Sequence, residues 1–517
     1  MEKLKKWVFL FLFFCFICFS CRSRSNEVVT IALSDKFSSL DTLTTSVPDT
    51  AADRIRTLIH NSLVRKNERF EYVGALAKEI KVADDRVSVT FILHDNVKFH
   101  NGQRLTSKDA KYTLEKLLES GGYKAGSFFD KVDGKSVPHI VSIETPDENT
   151  LTIKLAKPSL INQLLSNLVT IPIIPENTID QQKNNPIGTG PFKFLSFDPV
   201  NNLVELESNQ DYWEGAPQIK RLNVKTITDA NALQAELQAG RVDLAPNPTN
   251  FSADTFNSLK NNPNLQVIQS NGSNVRYIGF NLKAPVVNNL KIRQAIAYAI
   301  DRQKIVSELL SGQAKVAHSI LPEESWAYNA DIRYSYDPER ARQLLKEADY
   351  KGEVIKLSIV SGSAAVSQYA QVIQQNLKEV GINVEIEPLE SSTLLDYLRL
   401  GKFQMNTSIW VGGNQDPIFL RDLFHSAESP DKNPNGGRNR SRYANPEFDK
   451  IITEAVESSD KERAKELYGK AQQIVARDLP LFPLWYPANM VVASNRVANV
   501  KINASGDWDF VKNVTLR

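Results

Sequence analysis

Hydrophobic residues along the chain follow two spacings, one typical of strands and one typical of helices. Alternating or β-branched runs predict strands, and three of them are VVTIALS (28–34), VSVTFIL (87–93) and TLTIKLAKP (150–158). Between the first two, Ile55, Leu58 and Ile59 recur at helical spacing. Strands and helices of this kind alternate through most of the chain, which predicts an α/β protein.

Helix boundaries are marked by capping residues and glycines. Thr106 can cap a helix over residues 107–120, because Asp109, three positions on, can reach back to it. The pattern also predicts one long helix over residues 290–311, ended by Gly312, and a helix over residues 446–478.

Residues 354–389 predict a strand–helix–strand unit. VIKLSIV and INVEIEPL read as strands, and the helix between them ends at Gly381. Since such crossovers are right-handed and join parallel strands, we expect the two strands to be parallel.

The N-terminus differs from the rest of the chain. Lys3, Lys5 and Lys6 precede an apolar run of fourteen residues, whereas a spanning helix needs roughly twenty. A basic start and a short apolar run predict an export signal over residues 1–20, with an uncleaved membrane anchor as the alternative. All three cysteines, Cys15, Cys18 and Cys21, lie in or directly after this run, which excludes a disulfide, a thiolate metal site or cysteine catalysis further along.

The length, composition and net charge of the chain exclude some classes of protein. The 517 residues suggest about three domain-sized units, and 42% hydrophobic with 24% charged residues is an ordinary soluble composition. The chain has 62 basic and 60 acidic residues; without residues 1–20 it has 59 of each. This balance gives no general attraction to nucleic acid or to an anionic membrane.

No motif of catalysis or of nucleotide binding stands out. NPIGTGPFKF (185–194) lacks the Gly-Lys-Ser/Thr ending of a P-loop, Pro191 removes a backbone donor, and a strand follows where phosphate sites have a helix. It predicts a tight turn that leads into a strand. The six histidines show no metal-binding spacing, and there is no G-x-S-x-G motif. We therefore expect that the protein is not an enzyme and that it binds no cofactor and no metal ion.

Aromatic and polar residues concentrate late in the chain. IWVGGNQDPIF (409–419) joins Trp410 and Asp416 to two glycines directly after a predicted strand. Loops that combine aromatic residues with glycines, whose backbone is accessible, are typical of a cleft that holds an extended ligand through main-chain hydrogen bonds. For any single aromatic residue, a place in the hydrophobic core is the alternative.

Seven phrases, taken together, resemble one family: the extracytoplasmic solute-binding proteins of the peptide and nickel class, bacterial family 5, which serve ATP-binding-cassette (ABC) importers. In chain order they are VKFHNGQRLTSKDAKYTLEKL, IGTGPFKF, NQDYWEGAPQI, LQAGRVDL, RQAIAYAIDRQKIVSELLSGQAKVAHSILP, NRSRYANPEFDKII and RDLPLFPLWY. The resemblance extends over residues 28–500.

The resemblance implies a three-domain clamp of the type II periplasmic-binding-protein kind, in its peptide-binding subclass, with mixed sheets flanked by helices. The implied segments are domain I at 28–70, 186–283 and 489–517, domain II at 71–185 and domain III at 284–488. Domains I and III would close on the ligand. Cys21, where the apolar run ends, resembles the acylated cysteine of a bacterial lipoprotein.

The resemblance also implies ligand-binding residues. Family members that bind peptides hold them between a strand before Ser39-Leu40-Asp41, here at Phe37, and a strand around a tryptophan. That second strand corresponds to Ile409, Trp410 and Val411. The remaining members of the implied set are Tyr277, Asn281, Gly413, Asp416 and Tyr443.

Position 413 departs from the family's pattern. Peptide binders usually carry an aspartate three residues after this tryptophan, where it pairs with the ligand's free amine, but this chain has Gly413. Asp416 is the nearest acid left for that role. The departure raises the prospect of an unusual peptide, a sugar or another solute.

The expected partners are an oligopeptide or other small solute, permease subunits with cytoplasmic ATPases, and a membrane reached through a lipid on Cys21. We expect a monomer in the periplasm or at the cell surface, without nucleic acid. The alternatives are the same fold binding a nickel chelate, haem or an oligosaccharide, a sensor that does not transport, and a secreted hydrolase.

Overall fold

The computed structural model describes residues 27–132, 135–412, 415–433, 437–458 and 460–517. The predicted export signal, Cys21 and Gly413 lie outside the described residues. Within those ranges, every helix is too short or too polar to cross a membrane.

The first sheet has seven strands in mixed orientation. In spatial order they are β10 (Phe192–Asp198), β11 (Leu203–Ser208), β12 (Arg221–Thr226), β1 (Val28–Leu33), β13 (Leu244–Pro246), β21 (Asn489–Ser494) and β14 (Leu265–Ser270). β1 is parallel to β12 and β13, and the other pairs are antiparallel.

Side chains alternate between the two faces along each strand of this sheet, and helices bury both faces. On β1, Val29, Ile31 and Leu33 pack under α1 (Thr50–Ile59), while Ala32 packs under the helices of the opposite face. Those helices are α4 (Ala230–Gln238) and α5 (Ala253–Lys260).

The second sheet is antiparallel and lies within residues 77–155. Its strands, in spatial order, are β4 (Ala77–Val82), β5 (Ser88–Leu93), β9 (Thr150–Leu155) and β8 (Ile140–Asp147). It packs on α2 (Ser107–Ser120) and α3 (Ile161–Leu168). The predicted cap of α2 is confirmed, since the carboxylate of Asp109 accepts a hydrogen bond of 2.8 Å from the Thr106 N–H.

The third sheet has six strands and lies in the C-terminal half of the chain. In spatial order they are β16 (Ala314–Val316), β20 (Leu481–Pro487), β15 (Val275–Phe280), β19 (Met405–Trp410), β17 (Ile355–Val360) and β18 (Val384–Leu389). β17 and β18 are parallel and joined by α9 (Ala364–Glu379), which confirms the predicted strand–helix–strand unit.

Helices cover both faces of the third sheet. One face carries α6 (Leu290–Ala299), α8 (Pro338–Glu347) and α9, and the other carries α11 (Phe419–Phe424), α12 (Pro446–Glu457) and α13 (Lys461–Asp478). The remaining short elements are α7 (Arg302–Lys304), α10 (Ser391–Leu400) and the two-stranded pairs β2 (Val64–Lys66) with β3 (Tyr72–Gly74), β6 (Phe129–Val132) with β7 (Lys135–Pro138), and β22 (Val497–Ala498) with β23 (Thr515–Leu516).

Two predicted long helices are wrong. The predicted helix at 290–311 ends at Ala299, because Ile300 is extended and Asp301 caps a new turn through the Lys304 N–H at 2.9 Å. The predicted helix at 446–478 is two helices, and Asp460 caps the second one.

The turn predicted at NPIGTGPFKF is confirmed. The N–H of Gly190 donates to the carbonyl of Ile59 at 2.8 Å, and β10 begins two residues later at Phe192. A Cβ on Gly190 would lie 2.4 Å from the carbonyl carbon of Ile59, so only glycine permits this approach. The turn joins the four-stranded sheet to the seven-stranded sheet.

The chain forms two lobes joined by two neighbouring crossings. The first lobe holds the seven- and four-stranded sheets and the second lobe holds the six-stranded sheet. Residues 271–274 join β14 to β15, and Ala488 alone joins β20 to β21. β15 thus belongs to the second lobe, whereas the sequence prediction placed residues up to 283 in domain I; the predicted domain boundaries stay predictions.

The two crossings are packed directly against each other. A Cβ on Gly272 would lie 2.0 Å from the carbonyl oxygen of Pro487, so the backbones are as close as glycine allows. The buried amide of Asn489 donates to the carbonyls of Asn271 at 3.2 Å and Asn503 at 2.8 Å. These contacts hold the two connecting segments as one unit.

Candidate functional site

One edge of β19 is open next to the lobe crossing. β19 pairs with β15 along its whole length, from Met405 to Trp410, but it pairs with β17 only at Met405 and Asn406. On that edge, residues 407–410 have no strand partner within the described part of the chain. An open edge of this kind is a template to which an extended chain can add by main-chain hydrogen bonds.

Trp410 lies at the end of this open edge in an aromatic cluster. Its ring is stacked on Tyr277 of β15, with centroids 5.9 Å apart and planes 8° apart. Phe419 meets the same ring edge-on at 5.0 Å. The structure therefore brings together two of the predicted residues, Trp410 and Tyr277, and both are packed on the core of the second lobe.

The residues on either side of Trp410 differ in exposure. Ile409 is half-buried, whereas Val411 has 60% of its surface exposed directly after the strand. A large exposed apolar side chain beside an open strand edge is available to contact a ligand.

Phe37 lies in the other lobe. Its ring packs against Phe197 of β10, with centroids 5.2 Å apart, at the border of the seven-stranded sheet's core. Phe37 therefore borders the hydrophobic core, which was the alternative to a ligand-binding role for an aromatic residue. Its contact with a ligand stays a prediction.

Asn281 and Tyr443 are buried inside the second lobe. The amide of Asn281 donates to the carbonyls of Gly401 and Phe403, both at 3.0 Å. The hydroxyl of Tyr443 donates to Asp478 at 2.6 Å. These bonds give both side chains a structural role, and their predicted contact with a ligand stays a prediction.

Asp416 lies at a contact between the lobes. Its carboxylate accepts hydrogen bonds from the hydroxyl of Tyr72, on the β2–β3 hairpin of the first lobe, and from the N–H of Ile418 at 3.0 Å. The side chain is only 7% exposed, and burial raises the pKa of its carboxyl group to about 6, although the positive charge of Lys66 lowers it in part. Burial in turn lowers the pKa of Lys66, and Asp416 counteracts this.

The loop after β19 connects this lobe contact to the crossing. Gln415 accepts a hydrogen bond from Lys66 at 3.2 Å and donates to Ser273 at 2.9 Å. The N–H of Gly412 donates to the side chain of Asn274 at 3.1 Å. Movement of either lobe is therefore coupled to the position of the loop that carries the open strand edge.

Three further contacts join the lobes around the same hairpin. Glu71 forms an ion pair with Lys461, the N–H of Trp326 donates to the carbonyl of Arg69 at 3.3 Å, and Arg86 donates to the carbonyl of Glu457 at 3.2 Å. These contacts could not be predicted from the sequence, because more than 250 positions separate the partners. No group of three or more metal-ligating side chains was found in the described ranges.

Two α/β lobes, a paired crossing and an open strand edge beside it define a clamp-type solute-binding protein. A family model for bacterial extracellular solute-binding proteins, family 5 (middle region), matches residues 71–431. The chain belongs to this family, which confirms the resemblance and the fold class predicted from the sequence. The family consists of binding proteins, which confirms the expectation of a binding protein instead of an enzyme.

Known relatives extend the similarity over nearly the whole chain. The oligopeptide-binding protein AppA of Bacillus subtilis is 29% identical, with 89% of this chain and 86% of AppA covered. Heme-binding protein A of Haemophilus influenzae is 28% identical, with 85% and 83% covered. The solved structure of B. subtilis AppA in complex with a nonapeptide has a TM-score of 0.71 and 26% identity, and covers 95% of this chain and 99% of that one.

The raised pKa of Asp416 predicts a pH-dependent stability. In the unfolded chain this carboxyl group titrates near 3.8, and in the native protein near 6, so the native state binds the proton first as the pH falls. Ionised Asp416 is therefore unfavourable to the fold at neutral pH, and this cost falls progressively as the pH drops from 6 to 3.8. Asp416→Asn does not titrate, so between pH 7.5 and 4.5 wild type should gain about 2 kcal/mol of unfolding free energy relative to the variant.

Urea unfolding at both pH values measures this difference. Asp396→Asn, which replaces an exposed aspartate of α10, is the matched control for the loss of one carboxylate. A constant difference for Asp416→Asn would contradict the burial of an ionisable carboxylate at the lobe contact.

Proposed function

We propose that this protein is the extracytoplasmic receptor of an ABC importer and that it captures oligopeptides between its two lobes. The observation that carries the proposal is the open edge of β19 at residues 407–410, next to the Trp410–Tyr277 stack and the lobe crossing. Main-chain pairing at this edge binds many side-chain sequences, because every peptide offers the same backbone groups.

Similarity to other receptors supports the same proposal. AppA is named as an oligopeptide-binding protein and has been solved with a nonapeptide. The sequence resemblance to receptors of ABC importers supports a permease as the partner that receives the ligand. The similarity to Heme-binding protein A makes haem the principal alternative ligand.

Ligand binding would shift the lobes toward a closed arrangement. A ligand that contacts both lobes favours the closed population by its extra contacts, and no chemical conversion is required. In this account Phe37 contributes the first-lobe side and residues 409–411 the second-lobe side. The lobe contact around Asp416 would then stabilise the arrangement that the importer binds.

Mixed oligopeptides should raise the melting temperature of the protein, because a ligand that binds only the native state stabilises it by mass action, by about 2.7 kcal/mol at 100 times Kd. For a peptide that binds, N-methylation of successive backbone amides should lower affinity roughly tenfold at alternate positions, since only every second residue of an added strand bonds to the edge.

Isothermal titration with the series of N-methylated peptides measures how affinity varies with the methylated position. The unmethylated peptide with inverted sequence is the control that shows how much of the affinity depends on side chains. If haem, a nickel chelate or an oligosaccharide raises the melting temperature and no peptide does, the peptide assignment is wrong. If peptides bind but N-methylation has the same effect at every position, pairing at the strand edge is wrong.

We also propose that a lipid on Cys21 anchors the mature protein. The support is the sequence: a basic start, a short apolar run and a cysteine at its end. In a bacterial host, Cys21→Ser should move the protein from the membrane fraction to the soluble extracytoplasmic fraction, and Cys18→Ser is the matched control. Equal membrane retention of both variants after an alkaline wash would contradict the lipid anchor.

A further inference from the structure

The β2–β3 hairpin reaches from the first lobe to the second. Its turn is held by Asn67, whose side-chain oxygen accepts hydrogen bonds from the N–H groups of Arg69 at 2.9 Å and Glu71 at 3.0 Å. Its base is fixed by Val64, which is buried in the core of the four-stranded sheet. The hairpin therefore moves with the first lobe as one body, and separation of the lobes would remove it from its partners in the second lobe.

Asp416 is covered from both lobes. On the second-lobe side, its carboxylate accepts a hydrogen bond from the N–H of Ile418 at 3.0 Å. On the first-lobe side, the hydroxyl of Tyr72 donates to the same carboxylate, and Lys66 donates to the neighbouring Gln415 at 3.2 Å. Because Tyr72 and Lys66 both belong to the hairpin, the shielding of Asp416 from water depends on contact between the lobes.

This contact gives the carboxylate no direct ion pair. Among the described side chains, none forms an ion pair with Asp416 within 4.0 Å, and the ammonium group of Lys66 is bonded to Gln415 instead. A buried carboxylate in such surroundings favours its neutral, protonated form. Burial thus raises the pKa of Asp416 to about 6, and exposure to water on separation of the lobes would return it toward 3.8.

Three other titratable groups lie around this contact. Asp422 of α11 raises the pKa of Asp416 by its negative charge, but both residues belong to the second lobe, so this effect does not depend on lobe contact. Burial raises the pKa of the Tyr468 hydroxyl on α13, which therefore stays neutral at pH 7.5 and below. On the hairpin, the hydrogen bond from Lys461 lowers the pKa of Glu71 and keeps it ionised.

Lys66 acts in the opposite sense to Asp416. Burial lowers the pKa of its ammonium group, and Asp416 counteracts this. By itself, a lysine that is buried on closure favours the closed arrangement as the pH rises, whereas a carboxyl group that is buried on closure favours it as the pH falls. The two residues therefore predict pH dependences of opposite sign, which an experiment can distinguish.

We propose that closure of the two lobes on a ligand takes up a proton at Asp416, so that this receptor binds its ligand more tightly at acidic than at neutral pH. The proton passes from solvent to a carboxylate oxygen of Asp416 and returns to solvent when the lobes separate. The inference rests on the proposed capture of a ligand between the lobes and adds the regulation of that capture by pH.

The size of the effect follows from proton linkage. A carboxyl group that titrates near 6 when covered and near 3.8 when exposed favours the covered state about tenfold more at pH 5.0 than at pH 7.5. Acid favours closure because the closed state, with the higher pKa, binds the proton first as the pH falls. At pH 7.5 both states are ionised, so the dependence vanishes there.

The experiment measures ligand affinity and proton uptake over this pH range. Thermal shift at pH 5.0 and 7.5 selects a binding peptide from a mixed nonapeptide library without Asp, Glu or His, and haem is the second probe. Isothermal titration at both pH values gives the affinity. Repeating the titration in buffers of different ionisation enthalpy gives the number of protons taken up on binding.

Relative to Asp416→Asn, wild type should gain about tenfold in affinity from pH 7.5 to pH 5.0 and take up about 0.8 proton per ligand at pH 5.0. Comparison with this variant cancels the titration of the ligand. Lys66→Met should keep the gain, because it removes the positive charge that lowers the pKa of Asp416. Asp396→Asn, at an exposed position of α10, is the control and should behave as wild type.

The outcomes separate this inference from the proposed function. If peptides bind and wild type gains no more affinity than Asp416→Asn, the inference is wrong and the peptide function stands. An affinity that falls toward pH 5.0, with the fall abolished in Lys66→Met, also overturns the inference. If only haem binds and shows the gain, the inference stands and the peptide function is wrong.

The remaining outcomes are decided without Asp416→Asn. If this variant does not fold, proton uptake by wild type at pH 5.0 that persists in Lys66→Met supports the inference, and the absence of uptake overturns it. If neither the peptide library nor haem binds at either pH, both proposals are wrong.

Discussion

The close contact of the two lobe crossings is the constraint on which the rest of the structure depends. Because Gly272 lies directly against the carbonyl of Pro487, the segments that join the lobes cannot slide past each other. Rotation about this pair of segments is the movement that remains. The open edge of β19 and the loop that follows it are attached to the same point through Ser273 and Asn274, so rotation brings the first lobe toward the place where an extended ligand would pair.

The lobe contact around Asp416 combines an unfavourable and a favourable contribution, which suits a clamp that must reopen. Burial raises the pKa of the Asp416 carboxyl group, so keeping it ionised at neutral pH is unfavourable, while the hydrogen bond from Tyr72 joins the two lobes. A ligand that contacts both lobes adds stability to the closed arrangement, so contacts from the ligand decide which arrangement is populated.

Local signals in the sequence were sufficient for parts of this fold. The cap of α2 depends on Thr106 and Asp109, three positions apart, and the turn at Gly190 is marked by adjacent glycines and Pro191, so both could be predicted, although the contact of Gly190 with Ile59 could not. The break at Asp301 was missed because its neighbours keep a helical pattern, although Asp301 itself is a capping residue that accepts a hydrogen bond from the Lys304 N–H. The candidate site divides in the same way: the resemblance predicted Trp410 and Tyr277, which the structure stacks together, whereas the contact of Asp416 with Tyr72 could not be predicted, because 344 positions separate the two residues.

Closure of the two lobes on a bound ligand is the central claim, and a distance between the lobes tests it directly. The chain has no cysteine after Cys21. In a protein that begins after that residue, spin labels therefore attach only to cysteines introduced at Val200 and Leu395. Both positions are exposed, and they lie in different lobes. Labels at Val47 and Val200 report one lobe alone. With a ligand that raises the melting temperature, the Val200–Leu395 distance should shorten and its distribution narrow while the Val47–Val200 distance stays constant. A saturating ligand that leaves the Val200–Leu395 distribution unchanged would contradict the account.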